Sequence, residues 1–528
     1  MLFDIDSFRG EVPRISKKLL PAQYAYSAIN CDMSGGNLVP DKGCTLIQSL
    51  SGATVSIFKH GATWRQWSSV VDIVHSFVHD NNNRIIITGD SYPKETDSSL
   101  FPSTRRLGIP EPTNALTITF GGAAGEDVDR TISYVYTIVG KWADESVMES
   151  APSEPTAVTD IYDGQTVTLT GFVNSTAAGV YTTHFRIYRL NSGTSGAEYQ
   201  YVDEISISES SYLDSITTDN LGEILSTEGW TAPEATFSGI LSTSSGINVG
   251  FVGNKIYPSE TFIGYAYPSG YSLTTETDIV GLGFIGSSVV VLTNTKPYIL
   301  TGQNPESLSI EKIPFDQACL SKQSIVSFPG GVAYACPDGL AVINASGNLV
   351  VVTEKLFTKM QWAALNPENI IAFWYDGVYY AFFSGSTAYI RIDFTVGEIT
   401  RGVLPANMYG GHYVAIDDIL YLILGSASVK NLYSFQTGVV SSMTWVSGTR
   451  TLANKVPMSG RVLGTFTAGP AVITMTADGT TLFSKSVTSD GMFRFPPKRV
   501  GEAYLTVTGK ATVDRIVVGE FGQEVLDV

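Results

Sequence analysis

The residues in this chain best suited to chemistry are its histidines, cysteines and paired carboxylates, and their spacing limits what they can do. Of the five histidines, His60, His75, His79, His184 and His412, only His75 and His79 stand four apart. In the alternating stretch VVDIVHSFVHD both would point to one face of a strand, where two imidazoles could share a metal. The metalloprotease arrangement needs Glu directly after the first histidine, and Ser76 occupies that place. They are therefore read as structural histidines. Cys31, Cys44, Cys319 and Cys336 are scattered and form no Cys-x-x-Cys pair, so the expectation is buried thiols without zinc or a disulfide.

Carboxylate pairs flanking a sugar would suit glycoside cleavage. Asp417-Asp418 and Glu145/Glu149 are the candidates, but Asp418 reads as a hairpin-turn residue and the glutamates as solvated loop charges. The repeated Ser-x-Asp-x-Gly-x-Thr-Trp turns of sialidase-type glycosidases are absent; Ser489-Asp490-Gly491 occurs once. The run Gly121-Gly122-Ala123-Ala124-Gly125 leads into an acidic stretch and then a strand, whereas a phosphate-cradling loop needs a helix N-terminus there. No G-x-S-x-G elbow is present. The sequence thus assigns no catalytic, cofactor or metal residues, and the chain is expected not to be an enzyme.

The elements that would hold these side chains are short strands. In AFWYDGVYYAFFSGSTAYIRID (372–393), one strand runs to Tyr375, Asp376-Gly377 turns the chain, a second strand follows to Phe383, and a third spans 389–392. Asp-Gly suits a two-residue hairpin because both central residues need positive φ. The unit recurs with tips at Gly286, Gly331, Gly377 and Asp418, 45, 46 and 41 residues apart, and a weaker copy has its tip at Gly253. Antiparallel repeats of this length predict propeller blades stacked about a centre.

Composition agrees with an all-β reading: 51 glycines, 26 tyrosines, 25 phenylalanines and only 16% charged residues in 528. The net charge of −17 argues against a nonspecific grip on nucleic acid, which needs Lys and Arg on the phosphates. Met1 leads into LFDIDSF, which is unlike a secretory signal. The charge-free segment 279–295 contains three glycines and a hairpin, so it reads as buried strands rather than a membrane span.

In chain order, residues 1–45 read as an N-terminal arm, and 46–112 as the first blade or blades with a Pro-rich linker. Residues 113–233 read as an inserted β-sandwich similar to fibronectin type III. Residues 234–440 supply the remaining blades, with a helix expected over 353–365, and 441–528 form a C-terminal β-sandwich with an Asp478-Gly479 turn. The fold class is all-β: a β-propeller core with an inserted fibronectin type III/Ig-like sandwich and a C-terminal sandwich. HFRIYR (184–189) reads as an edge strand with outward arginines.

The opening RGEVPRISKKLLP and AxxAxNCDMxxGxLxP resembles the propeller-type tail nozzle, or tail accessory, proteins of short-tailed bacteriophages. Arg9, Pro13, Arg14, Leu20, Pro21, Ala25, Ala28, Asn30, Asp32, Gly36, Leu38 and Pro40 carry the match, with GNKIYPSE and LFTKMQWAALNPENI further on. The resemblance implies a structural virion protein assembled in the bacterial cytoplasm. It would form a homo-oligomeric ring, usually of six, below the connector, with a DNA exit channel and docking sites for connector, fibre, spike or needle proteins. Double-stranded DNA would pass without specific binding, and no membrane insertion or cofactor is implied. The alternative is a host-glycan or receptor-binding propeller module using Trp64, Trp67, Trp142 and Trp230 for stacking. The arm, with Phe3, Ile5, Phe8, Arg9, Arg14, Lys17 and Lys18, is the expected subunit interface.

Overall fold

The computed structural model describes residues 2–77, 83–144, 146–193 and 196–526. The fold is all-β, built from many small antiparallel sheets, with five-residue helices at Lys359–Ala363 and Gly522–Leu526. It separates into two compact units, 1–69 with 294–297 and 312–528, and 70–293 with 298–311.

In the first unit the repeat is visible as sheets that meander from strand to neighbouring strand. Val326–Phe328, Gly331–Cys336, Gly339–Ile343 and Leu349–Val351 make one. Asn407–Val414, Ile419–Gly425 and Lys430–Ser434 make another, completed by the early strand Thr45–Leu50. The Asp376-Gly377 tip is as expected, with φ of 48° and 74°, and Asp418 also has positive φ, 51°. The turn expected at Gly331 falls instead on Pro329 and Gly330, and Gly331 opens the returning strand.

The propeller core is corrected by this topology. Among the described residues none of the sheets closes into a propeller or barrel, and the repeats are divided between the two units. The repeat at 370–403 does not end as a separate blade. Its last strand, Glu398–Val403, pairs with Arg9–Glu11, and the sheet continues through Tyr24–Ile29, Met443–Ser447, Val500–Gly509 and Ala471–Ala477 to become eleven-stranded. The N-terminal segment and the C-terminal module therefore share one hydrogen-bonded ladder with a repeat. The physical reason is that Glu11 sits opposite Ile399 while Arg9 and Glu11 run parallel to Tyr24 and Ala25, filling the edge a blade would leave open.

The first strand, Phe3–Ile5, pairs with the last, Thr512–Gly519, beside Ser459–Thr465 and Met492–Arg494. Phe3, Ile5 and Phe8 are buried with Trp445, Val462, Leu505 and Ile516 in one core, and Phe8 meets Trp445 edge-on with centroids 5.1 Å apart. Asp478 and Gly479 form the expected turn, with φ of 47° and 77°. The helix expected over 353–365 shortens to Lys359–Ala363. Thr358 and Gln361 cap it reciprocally, Trp362 is buried, and Met360 is exposed.

In the second unit, the sheet from Asp72–His75 to Arg105–Arg106 precedes the segment 113–233. There a three-stranded sheet (Thr117–Gly121, Thr166–Thr170, Ser211–Asp214) and a four-stranded one (Val147–Glu149, Tyr134–Lys141, His184–Gly193, Gly196–Ser206) share a core of Tyr134, Tyr136, Ile138, Val167, Phe185 and Ile187. Strands from Ser238 to Thr274 and from Ile279 to Lys312 form two further four-stranded sheets.

Candidate functional site

A polar cleft of about 580 Å³ opens in the first unit. It lies where the strand Ala388–Asp393 meets the loop after Cys31, and Arg9, Asp32, Asp376, Arg391, Asp393 and Glu398 reach its wall. Arg391 organises it. Its Nη2 donates to Asp32 Oδ1 at 2.9 Å and to the Cys31 carbonyl at 3.1 Å, and its Nη1 is 3.9 Å from Asp41 Oδ1. Burial alone would raise the Asp32 carboxyl, but Arg391 and the Ser34 hydrogen bonds hold it below its ordinary value. Asp41 is more deeply buried and its guanidinium more distant, so desolvation wins and pushes it up to about 6.

The other carboxylates are similarly committed to backbone and to neighbouring strands. Glu398 accepts the Gly10 N–H at 2.8 Å, and burial raises its pKa. Glu11, raised by burial, accepts the Ala28 N–H and the Arg401 Nε at 2.8 and 2.9 Å. Asp393 accepts the N–H and hydroxyl of Thr395 in a local turn. The arrangement joins strands and loops of the chain to one another.

The sequence-selected residues disperse. His75 ends the strand Asp72–His75 and is exposed, while His79 and Glu145 lie outside the described residues. His412 packs on Phe58 with centroids 5.0 Å apart, and burial lowers its pKa to about 4. All four cysteines are unbridged, and burial raises every thiol, Cys44 and Cys336 to about 11 and Cys319 to about 12. Among the described residues no group of three or more His, Cys, Asp or Glu is placed to hold a metal ion. Asp417 is held by Lys59 and by the Tyr421 hydroxyl at 3.0 Å, and Asp418 accepts from Tyr413 at 2.9 Å.

Three expectations change character. Glu149, expected in solvent, is buried and accepts from Thr137, Tyr188 and Arg186. Arg189, expected to point outward, is 1% exposed and pairs with the buried Asp214, which also accepts the Tyr134 hydroxyl. Trp142, expected at a loop surface, is buried between two guanidinium groups, Arg84 and Arg105, 3.9 and 4.0 Å from its ring. Trp64 packs on Tyr421 and Trp230 on Tyr265, while Trp67 is half-buried.

The arm residues expected to meet another subunit find partners in their own chain. Besides the buried Phe3, Ile5 and Phe8, Arg9 lies over Tyr24 and Arg14 donates to the Glu354 carbonyl. Lys17 sits 3.0 Å from the centre of the Tyr504 ring, and Lys18 pairs with Glu502 at 2.9 Å.

No family model matches the chain, and no curated protein matches it. Among solved structures it is similar to the AfRom2 CNH domain, at 9% identity and a TM-score of 0.26, covering 60% of this chain and 93% of that one. It is also similar to the WD40 domain of Toxoplasma gondii coronin, at 9% identity and a TM-score of 0.25, covering 62% and 88%. Apo AztD from Citrobacter koseri is a third, at 11% identity and a TM-score of 0.24, covering 84% and 99%. At these scores the likenesses carry no argument about what the chain does. The assignment to the phage tail nozzle family is corrected by these findings: no family model and no curated protein supports it. The ring below a connector, the DNA exit channel, the docking platform and the receptor-binding propeller of a tail fall with it.

Proposed function

We propose that this chain is a non-catalytic β scaffold that acts through its surfaces. The carrying observation is the use of charged side chains to join strands: Arg391, Asp32 and Glu398 in the polar cleft, and Glu11 with Arg401 elsewhere on the same sheet, tie N-terminal strands and loops to the repeat at 370–403. Asp32 and Asp41, whose pKa values are pushed apart, both face Arg391, and Asp41 is buried away from the cleft wall.

Association with further copies of the chain belongs to the same proposal. The outer strand Thr45–Leu50 supports it, with a largely exposed, uncharged row of side chains that includes Leu46 and Ile47. Edge strands of this kind offer unpaired backbone groups to another chain. Light scattering on the purified protein gives the mass directly, and a strict monomer at high concentration removes this part.

The scaffold reading is tested with chromogenic glycosides, carboxylic esters and phosphate esters. No turnover is expected from the wild-type protein. Turnover abolished by Asp32→Asn or Asp393→Asn in a variant that still folds would overturn it.

A further inference from the structure

In the second unit, the sandwich 113–233 meets the 72–106 sheet along a seam built from stacked charges and rings. Arg105 lies between Trp142, 4.0 Å away, and Tyr181, 3.5 Å away, and Arg84 covers Trp142 at 3.9 Å. Arg84 is itself held by Asp144 at 2.9 Å. Nearby, the Arg106 N–H donates to the Gly179 carbonyl at 2.7 Å, and a Cβ at Gly179 would come within 2.1 Å of the Tyr92 hydroxyl, so the two surfaces touch closely.

Beneath this stack lies Glu95, on the strand Lys94–Thr96, directly opposite Arg105 on the next strand. The side chain is buried, and its Oε1 has no hydrogen-bond partner among the described residues; the same holds for Arg105 Nη1. A buried acceptor and a buried donor thus stand as cross-strand neighbours, each left unpaired while Arg105 is engaged by two aromatic rings.

We propose that Glu95 is a proton-operated latch on this seam: the neutral carboxyl leaves Arg105 stacked and the sandwich docked, and the ionised carboxylate draws Arg105 away and loosens the docking.

The groups facing Glu95 set the direction. Arg84, Arg105 and Trp142 favour its charged form, while Asp97 opposes ionisation and the Tyr265 hydroxyl also lies within its field. Burial outweighs the favourable partners and pushes the carboxyl up to about 7. A carboxyl raised in the docked state binds its proton more tightly there than in the loosened state. Docking is therefore strongest below the ordinary glutamate range and weakens as pH rises through 7.

Hydrogen exchange on the full chain, corrected for intrinsic rates, reads the seam through peptides covering 134–142 and 179–189. The opening equilibrium of the wild-type protein is expected to be about tenfold larger at pH 8 than at pH 6. Glu95→Gln, permanently neutral, should hold the seam closed and flatten that ratio to near one. Arg105→Met removes the cross-strand charge and should move the midpoint upward, which keeps the test decisive if Glu95→Gln fails to fold. A wild-type ratio near one, a ratio that persists in Glu95→Gln, or an unmoved midpoint in Arg105→Met each overturns the latch.

Discussion

Arg515 grips Asp4 with both arms of its guanidinium, Nε on Oδ1 and Nη2 on Oδ2, each at 2.9 Å. The pair joins the first strand of the chain to the last, side by side in one sheet. Both side chains are about a third exposed, so the pair itself contributes modestly, roughly 0–1 kcal/mol. The strand beneath it is held by Phe3 and Ile5, both buried.

Phe3→Ala is accordingly expected to cost about 3–5 kcal/mol, as for other buried aromatic truncations. Asp4→Asn should cost no more than about 1 kcal/mol. Urea unfolding of the two variants separates side-chain burial from the ion pair. Equal midpoints for Phe3→Ala and wild type would mean that the first strand is not part of the C-terminal core.

Asp41 gives a prediction opposite to the usual one for a carboxylate near arginine. Its folded pKa is raised to about 6, so ionisation is penalised in the folded protein and its contribution to stability declines as pH rises through 6. Asp41→Asn should therefore be neutral or stabilising at pH 8, with the benefit smaller at pH 5 and gone below the ordinary aspartate range. Arg391→Met should destabilise by about 3–5 kcal/mol at pH 8, because it strands Asp32 and Asp41 together. Thermal melts at the two pH values decide both.

His412 acts on the acid side. Burial lowers its pKa to about 4, so the unfolded chain takes up a proton at a higher pH than the folded one. Its contribution is complete above about 6.5 and is lost as pH falls toward 4. His412→Gln should remove part of the acid destabilisation seen in denaturant titrations between those values. An unchanged acid limb would show that His412 is not buried as described.

Within the sandwich 113–233, Asp214 joins Arg189 and Tyr134 in a fully buried cluster. Removing the carboxylate leaves an uncompensated guanidinium, so Asp214→Ala should cost about 3–5 kcal/mol. Replacing both charged partners, Arg189→Met with Asp214→Leu, should recover much of that loss. A double-mutant cycle by denaturant unfolding measures the coupling, and additive losses would contradict it.

Local chemistry was legible in the sequence wherever a turn required it. Asp376-Gly377, Asp418 and Asp478-Gly479 take positive φ because short polar residues and glycine tolerate it, whatever the rest of the chain does. Strand partnership was not legible. The strand Arg9–Glu11 lies beside Glu398–Val403, hundreds of residues away, and nothing in RGE specifies that neighbour. The repeat therefore suggested a ring of equal blades, while long-range pairing made one repeat part of an eleven-stranded sheet.

The polar interior was partly readable. In HFRIYR, strand alternation places Arg189 on the same face as the buried Phe185 and Ile187, so its burial follows from parity once the face is known. Composition favoured the solvent, and that bias misled. Glu95 carried no such signal, because the three-residue strand KET shows no alternation to read and its burial comes from Trp142 and the neighbouring strands.

The pairing of Phe3–Ile5 with Thr512–Gly519 also constrains how the chain is made. Phe3 and Phe8 leave the ribosome hundreds of residues before the strands that cover them. Until Thr512–Gly519 is synthesised these aromatic side chains lack part of the native surface they bury against. A nascent chain stalled before residue 512 should therefore bind holdase chaperones through residues 2–11 and release them once 512–519 has emerged.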